Sequence, residues 1–550
     1  MASVASLENL ESLIALLSKV VNKSGTGLAD PVLEDPKNPL NAAKNKPRRL
    51  CAFLDALAFL MVSEPKHQVL AISLREGTVN EVLKVKPEQT LRKNWFWSKD
   101  VCEKHFNNKD QKFIEIMIAS NDVMVSAEKA KFLQNIWFGL KCLSDQIHQS
   151  RQTSKTTTDS PPSLRIGKLQ PDSDLHMNAH RLIRLLLGNI WAQICKRIAS
   201  KYDKFTSIRV DPKKVDSSHP WFRVNTYVRA LYDAYIRQVD PAQVQKPQSA
   251  EDWNLFWNCL FQTMEVIDKF INPRDGQASG FGSSVIYVTG LNWDYRKYLT
   301  KIASIPKEIL TIWGVVNSPQ CRPIFEKDFI IRATRKFATV EKTVLPNHLN
   351  GWFQVFRNAL IDRNALRGAN EVLELVDELV WTALKNFKDK LRSGNVPKVI
   401  HAEIKVAMEL VLNRNGGYNP GFTYIGVSKL CCRPCYEFLT AMRMYGIHFV
   451  VRGEHGKCYY PWTIPKELVE GPHAVHLIKT ARGSLATKFC DLCHTDFFRV
   501  KTKSLRADDT DRTLSSDKKV GPSVDDPEFS DVLEKVKARA AAIGKKHGRD

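Results

Sequence analysis

The stretch from Val399 to Cys435 constrains this chain more than any other, because it combines three metal-ligand side chains with one carboxylate. It reads V-I-H-A-E-I-K-V-A-M-E-L, then a glycine-containing gap, then Y-I-G-V-S-K-L-C-C-R-P-C. His401, Cys432 and Cys435 are residue types that hold a tetrahedral zinc ion and leave its fourth position for water. Glu403 lies two residues from His401 and is available to move protons. The pattern predicts a catalytic rather than a structural zinc site.

Cysteine placement supports metal binding over disulfides. The chain has 12 cysteines in 550 residues, too few for a disulfide scaffold, and half of them lie between Cys431 and Cys493. Random placement would give about 0.3 Cys-x-x-Cys pairs in a chain of this composition. The sequence contains two such pairs.

The second pair belongs to the sequence C-D-L-C-H. It predicts a second, structural zinc on Cys490, Cys493 and His494, with Cys458 or His455 as a further ligand. Packed thiols without a metal are the alternative. Covalent haem attachment has the same C-x-x-C-H spacing, but no export signal or haem domain accompanies it.

The charge balance points to a polyanionic partner. Lys and Arg outnumber Asp and Glu by 81 to 59, which gives a net charge of +22. This charge favours RNA or single-stranded DNA as a partner, although a generally basic surface explains the same composition. Aromatic residues interleave with Arg223, Arg229 and Arg237, which fits either a base-stacking platform or an ordinary helical core.

We expect neither export nor membrane insertion. The first residues carry Glu8 and Glu11 among apolar side chains and lack a basic leader, which is not typical of a signal peptide. No apolar run approaches the roughly 20 residues of a transmembrane helix. The expected location is the cytoplasm or the nucleus, and the basic run Lys44–Arg49 fits either a weak nuclear signal or a solvated loop.

Periodicity and composition predict five consecutive segments. Residues 1–148 form a mostly helical region, with helices over 7–21, 51–62, 110–120 and 126–148. Residues 149–175 are a linker or long loop, and residues 176–364 are a second helical region. A zinc domain follows over residues 365–500, and a charged, largely disordered tail over 501–550 contains one helix at 530–542.

One further histidine pair is a candidate metal site. His176 and His180 lie one helical turn apart, as two ligands of one ion would. No third ligand lies nearby in the sequence, so surface or capping histidines are the alternative.

The central stretch resembles the signature of zinc-dependent deaminases of the cytidine deaminase-like superfamily, H-x-E followed by P-C-x-x-C. His401-Ala402-Glu403 and Cys432-Arg433-Pro434-Cys435 carry the resemblance. The segments H-A-E-I, Y-I-G-V-S-K-L-C-C and F-V-V-R-G-E-H-G are similar to a fungal and rickettsial branch of nucleic-acid-deaminase-like proteins. The resemblance covers about residues 365–495. It implies an α/β fold, with an α-β-α sandwich domain near the C-terminus preceded by a large, mostly α-helical region.

The order of predicted elements agrees with that fold. A helix over 370–391 and a strand over 396–400 precede the helix that begins at His401. A strand over 422–427, a helix that begins with the two cysteines and a strand over 447–451 follow. Only one strand lies between the first helix and His401, where the family has a two-stranded hairpin.

The resemblance implies that His401, Cys432 and Cys435 bind Zn²⁺ and that Glu403 is the catalytic proton carrier. Cys431 stands where the family has proline, and it is an alternative ligand. The dipole of the helix that begins at the cysteines is expected to lower the pKa of their thiols. The predicted function is zinc-dependent hydrolytic deamination of a cytosine or adenine base in nucleic acid. The alternatives are an inactive deaminase-like zinc-binding scaffold, a nucleic-acid-binding protein and a deaminase of free nucleotides.

Overall fold

The structure is a computed structural model of the chain. It describes residues 46–63, 69–78, 107–121, 125–155, 173–208, 220–237, 246–271, 295–339, 398–414, 423–443, 448–471 and 473–487. It also describes shorter stretches and single positions at 7, 10–15, 17, 28–29, 95–96, 104, 344–346, 348, 350–355, 358, 394–395 and 446.

The described ranges combine many helices with a small mixed sheet, so the chain is a mixed α/β protein. The helices are α1 (Lys46–Leu60), α2 (Ala127–Lys155), α3 (Asp174–Asn189), α4 (Trp191–Ala199), α5 (Tyr202–Thr206), α6 (Pro220–Tyr235), α7 (Ala250–Ile271), α8 (Tyr295–Val316), α9 (Arg322–Glu326), α10 (Ala402–Arg414), α11 (Arg433–Arg443) and α12 (Lys466–Val469). The strands are β1 (Leu28–Ala29), β2 (Leu70–Gly77), β3 (Trp95–Phe96), β4 (Phe113–Ser120), β5 (Phe329–Ala333), β6 (Val344–Leu345), β7 (Gly394–Asn395), β8 (Gly426–Val427) and β9 (Gly453–Glu454). Residues 10–15 and 474–487 are also helical.

The chain separates into two compact units. The first, here called the sheet unit, takes its described residues from 1–59, 69–134 and 323–515. The second, the helical unit, takes them from 60–68 and 135–322. This division differs from the five consecutive segments that composition predicts, because strands from the first quarter of the chain pair with a strand close to the cysteines.

The sheet unit is built on five strands in the order β3-β5-β4-β2-β8. β2 and β4 are antiparallel along their whole length, from Leu70 opposite Ser120 to Gly77 opposite Phe113. On its other edge β2 pairs with β8, where Ala71 lies opposite Val427. β5 runs parallel to β4 on the far side. A two-stranded antiparallel pair therefore lies beside the cysteine-bearing segment, although it is encoded some 300 residues earlier.

The predicted helix over 110–120 is wrong, and the strands β2 and β4 interrupt the region 1–148, which the sequence predicts to be mostly helical. Residues Phe113–Ser120 form β4, and all eight of them are buried. The sequence F-I-E-I-M-I-A-S is apolar on both faces and rich in isoleucine, which is typical of a central strand. A buried helix has the same short apolar signature, and length alone did not separate the two.

Several predicted helices are confirmed within the described ranges. α1 contains most of the predicted helix over 51–62, and residues 10–15 of the first predicted helix are helical. α2 covers the prediction over 126–148 and continues to Lys155, into the predicted linker. The predicted helix over 370–391, the tail over 501–550 and its helix at 530–542 lie outside the described residues.

α1 packs against β8 at very short range. A Cβ added to Gly426 would lie 2.5 Å from the backbone carbon of Leu54, so only glycine fits this position in β8. Asp55 fixes the contact from the helix side: it accepts hydrogen bonds from the Tyr424 hydroxyl at 2.5 Å and from the Val427 amide at 2.9 Å. The strand that leads into the cysteines is thereby held to an N-terminal helix.

A buried ion cluster joins the sheet to α10. Arg75 on β2 lies 2.8 Å from Glu115 on β4, and Arg332 on β5 lies 2.6 Å from the same carboxylate. Glu409 on α10 lies 3.6 Å from Arg332 and 2.7 Å from Arg335. Two carboxylates thus face three guanidinium groups, and α10 is tied to the sheet by charge as well as by its apolar face.

The helical unit has a core of large aromatic and aliphatic residues. α6, α7 and α8 pack on one another, and Trp221, Trp257 and Phe256 are almost fully buried between them. The start of the predicted helical region over 176–364 forms two helices, α3 and α4, which meet at Ile190. In the described ranges no helix has the length and apolar character that a membrane span requires.

Candidate metal centre

The structure brings His401, Cys432 and Cys435 together. Their ligand atoms all lie within 4.8 Å of one another. Nδ1 of His401 is 3.3 Å from Sγ of Cys432 and 3.4 Å from Sγ of Cys435. Two ligands of a tetrahedral zinc, with bonds of about 2.1 and 2.3 Å, lie roughly 3.6 Å apart. Both histidine–cysteine distances are close to this spacing, so the donor set fits one zinc ion.

Residues at the end of β4 position the helix that follows His401. The Asn121 side chain accepts a hydrogen bond from the Ala402 amide at 2.9 Å, which caps the first turn of α10. Lys405 donates to the Ser120 carbonyl at 2.6 Å. The motif H-x-E is thus held by residues that precede it by about 280 positions, and no local sequence signal identifies them.

The cysteines lie at the start of α11. The Cys431 amide donates to the Gly453 carbonyl, and the Arg433 amide to the Lys457 carbonyl, each at 3.0 Å. Pro434 falls in the first turn of α11, where a helix needs no N–H from that residue. The proline inside the Cys-x-x-Cys spacer is therefore compatible with a helix that begins between the two ligands.

Burial dominates the acidity of the thiols. It raises the pKa of both Cys432 and Cys435 well above the ordinary value, against the lowering that we expected from the helix dipole. Desolvation outweighs the dipole because both side chains are almost fully buried. A bound cation is the group that reverses this balance. The indole of Trp462 also donates to Sγ of Cys435 at 3.2 Å, a contact that suits a metal-bound thiolate.

Glu403 lies beside the three donors without joining them. Its side chain is 2% exposed, and its Oε2 has no hydrogen-bond partner among the described residues. Burial raises its pKa, while its own backbone amide and Cys431 oppose this effect. A desolvated carboxyl with an unpaired oxygen next to a metal site is suited to exchanging protons with a ligand.

Cys431 occupies the Glu403 side of the site. The ligand atoms of Cys431, Glu403 and Cys435 form a second close group. The first group, which contains His401, includes Cys432 and Cys435 but not Cys431. Burial raises the pKa of its thiol, and Glu403 adds to this. Cys431 therefore belongs to a second candidate donor group, with Glu403 and Cys435.

A second layer surrounds the donors, and motif analysis did not identify it. Arg433 and Glu454 form a buried two-bond ion pair at 2.7 and 3.0 Å that ties α11 to β9. The His455 amide donates to the Cys431 carbonyl at 3.1 Å, and its ring meets Tyr459 edge-on at 5.2 Å. Tyr459 is 48% exposed, which makes it the aromatic side chain by which this otherwise buried region reaches solvent in the described ranges.

The other predicted metal ligands do not form a comparable cluster in the described part of the chain. The rings of His176 and His180 lie 4.2 Å apart, and no third donor joins them there. Burial and the neighbouring His176 lower the pKa of His180 to about 4. Cys458 and His455 are described, whereas Cys490, Cys493 and His494 lie outside the described residues.

Comparison with known proteins identifies a deaminase-like segment. Residues 400–466 match the family of OTT_1508-like deaminases, and this range contains the three donors, Glu403, Cys431 and Trp462. Searches of curated proteins and of solved structures found no match. The match covers the site and the elements that carry it, and it leaves the rest of the chain unassigned.

Proposed function

We propose that this chain is a zinc-dependent hydrolytic deaminase that acts on a cytosine or adenine base in nucleic acid. The observation that carries the proposal is the pairing of a His-Cys-Cys donor set with a buried, unpaired carboxylate inside a deaminase-like segment. The ligands are His401, Cys432 and Cys435, and Glu403 is the catalytic residue. The net charge of +22 supports a polyanionic substrate over a free nucleoside.

Zinc bound to these donors would supply a water molecule whose pKa is close to neutrality. Glu403 would accept one proton from this water and pass it to a ring nitrogen, and it would then pass the proton of the newly formed hydroxyl group to the amino group, which leaves as ammonia. Burial raises the pKa of this carboxyl, which strengthens it as a proton acceptor. Trp462, Asn121 and the Arg433–Glu454 pair hold the ligands and the helix ends in place.

We also propose that the deaminase fold is assembled from distant parts of the chain. β2 and β4 supply the two-stranded antiparallel pair where the sequence before His401 predicts only one strand, and α1 packs on β8 beside it. Their pairing with β8 and the contact of Gly426 with Leu54 support this assignment. The deaminase domain then includes residues from 46 onwards, with the helical unit inserted between β4 and α10.

The variant Glu403→Gln tests the function. We expect it to retain zinc and to lose turnover by about 10²- to 10⁴-fold, because the amide cannot carry the proton. Zinc is measured by elemental analysis, and uracil or inosine formation by mass spectrometry on cytidine, adenosine, single-stranded RNA and single-stranded DNA. Glu467→Gln, on the surface at α12, is the matched control. Normal turnover in Glu403→Gln would contradict the assignment.

A catalytically inactive zinc-binding scaffold is the second candidate. The near-complete burial of the site favours it: His401 is 7% exposed and the remaining donors are less so. Full zinc occupancy with no product from any of the four substrates would support the scaffold over the enzyme.

A further inference from the structure

The helical unit carries a pair of stacked tyrosines at its surface. The rings of Tyr202 on α5 and Tyr232 on α6 lie 3.5 Å apart and are parallel to within 8°. Both side chains remain partly exposed. Among the other large aromatics of α6, Trp221, Tyr227 and Tyr235 are buried, whereas Phe222 is 39% exposed. The aromatic pattern in this helix is therefore mostly core, and Phe222 and Tyr232 depart from it.

Basic side chains surround this stack. Lys201, Lys204 and Arg229 are exposed, and Arg229 donates to the Thr206 carbonyl at 3.4 Å, which places its guanidinium over the end of α5. Burial raises the pKa of Tyr202 to about 12, and Arg229 and Arg237 oppose this effect while Asp233 adds to it. The positive charges of both arginines therefore lie close enough to affect the ionisation of the Tyr202 hydroxyl.

Two carboxylates also face this region. Asp203 is exposed on α5, and Asp233 lies 3.6 Å from Arg237. Four cations against two anions leave the surface positive. We call the residues Lys201, Tyr202, Lys204, Arg229, Tyr232 and Arg237 the α5–α6 surface.

The positive charge continues beyond the α5–α6 surface. Arg197, near the end of α4, donates to the Lys301 carbonyl at 3.1 Å and to Ser304 at 2.7 Å, so the basic ends of α4 and α8 adjoin each other. Tyr298 also donates to the Ile198 carbonyl at 2.6 Å. Over residues 135–155, 173–208, 220–237, 246–271 and 295–322, the unit has 19 Lys and Arg against 9 Asp and Glu. The excess exceeds what solubility requires of a unit this size.

Proteins that bind single strands combine a positive track for the phosphates with aromatic rings on which bases stack. We propose that the α5–α6 surface binds single-stranded nucleic acid, with bases on the Tyr202–Tyr232 stack and phosphates against Lys201, Lys204 and Arg229. The inference rests on the proposed function for the choice of a polynucleotide over other polyanions. RNA and single-stranded DNA share this chemistry, and the experiment separates them.

Binding is measured by fluorescence anisotropy with the full chain, using labelled oligo(U) and oligo(dT) of about 20 nucleotides at about 50 to 200 mM salt. Tyr232→Leu should weaken binding by about tenfold, whereas Tyr232→Phe, which keeps the ring, should restore it. Lys201→Gln/Lys204→Gln should reduce the slope of log K against log salt by about 1.4, because two phosphate contacts are lost. The tighter of the two oligonucleotides identifies the polymer.

The matched control is Lys131→Gln/Lys141→Gln, the same charge change on α2. Circular dichroism checks the fold of each variant. If Tyr232→Leu does not fold, the variant Lys201→Gln/Lys204→Gln still tests the inference, because both lysines are exposed. Unchanged binding in both the tyrosine and the lysine variants overturns the inference. An equal loss in the α2 control overturns it too, as does tighter binding to anionic vesicles or to an acidic protein than to both oligonucleotides.

The assay separates this inference from the proposed function because it needs no turnover. If the proposed function alone fails, the wild type binds oligonucleotides through this surface and yields no product. If the inference alone fails, deamination persists and the surface variants bind like the wild type.

Discussion

Helix α10 carries two buried glutamates in opposite circumstances. Glu409 is 1% exposed and lies 2.7 Å from Arg335 and 3.6 Å from Arg332, inside the ion cluster of the sheet. Glu403 is 2% exposed, has an oxygen without a hydrogen-bond partner among the described residues, and lies beside the thiols and the histidine. Glu409 therefore has guanidinium groups as partners, whereas Glu403, the same residue type on the same helix, has an oxygen without a hydrogen-bond partner in the described part of the chain.

The contrast separates a structural role from a chemical one. A buried carboxylate that meets guanidinium groups is stabilised as an anion, and its removal leaves those cations unpaired. A buried carboxyl without such partners destabilises the fold and persists where its proton affinity is used. Burial alone would rank the two glutamates equally. Their partners differ, and this difference supports the proposed catalytic role for Glu403 and a structural role for Glu409.

Removing a metal ligand should have the largest effect. We expect Cys432→Ser to lose zinc and to lower turnover by at least about 10³-fold, since His401 and Cys435 alone cannot hold a tetrahedral ion. Elemental analysis after dialysis measures the metal. Cys431→Ser is the matched control and should retain zinc, because Cys431 groups with Glu403. Zinc loss in Cys431→Ser with retention in Cys432→Ser would exchange the two assignments.

The variant Glu409→Gln tests the structural role of Glu409. We expect a loss of about 3–5 kcal/mol in the free energy of unfolding, because Arg332 and its neighbours lose a buried counter-charge. Urea denaturation measures it. Glu403→Gln, the same change on the same helix, should leave the stability unchanged or raise it, since it replaces a desolvated carboxyl whose pKa is raised. Equal destabilisation by both variants would remove the distinction.

Substitution of the exposed glutamate Glu76 should have the smallest effect on stability. It compares a surface ion pair with the buried ion pairs of Glu409. Glu76 lies 2.5 Å from Lys327 and 3.1 Å from Lys112 and is 39% exposed. We expect Glu76→Gln to reduce stability at pH 7 by only about 0.5 kcal/mol, because solvent screens the pair. A loss as large as that of Glu409→Gln would show that burial does not set the strength of these pairs.

The pH dependence of the same variant follows from its pKa. The hydrogen bond from Lys327 is the main cause that lowers the pKa of Glu76 below the ordinary 4.5. The folded state therefore holds the ionised form more strongly than the unfolded state, and this contribution is present above pH 4.5 and lost as the pH falls through the lowered pKa. Wild type and Glu76→Gln should differ at pH 7 and converge in acid, as measured by urea denaturation at both values.

The donor set was accessible from the sequence because its signals are local. Two helix starts set the spacing of His401 and Glu403 and that of Cys432 and Cys435. This spacing can therefore be recognised directly in the sequence. Helices with clear periodicity, such as α1 and α2, were accessible for the same reason. Each depends on residues within a few turns of one another.

The sheet order, the residues that hold the site in place and the tyrosine stack could not be predicted from the sequence. Each depends on contacts between residues that are distant along the chain. β4 reads as a helix in isolation, and only its partners β2 and β5 make it a central strand. Asn121 and Trp462 carry no motif, and their contacts with α10 and Cys435 exist only in the folded chain. The stacking of Tyr202 on Tyr232 likewise joins two helices, and the aromatic pattern of α6 alone fitted either a core or a base-stacking platform.

The pairing of Ala71 with Val427 also governs when this protein can finish folding on the ribosome. Synthesis at about 5–20 residues per second separates the two strands by roughly 20 to 70 s. The successive helices of the helical unit make mostly local contacts and can form in that interval. Until β8 has emerged, the edge of β2 that pairs with it has no strand partner, and an unpaired apolar edge is open to pairing with another chain.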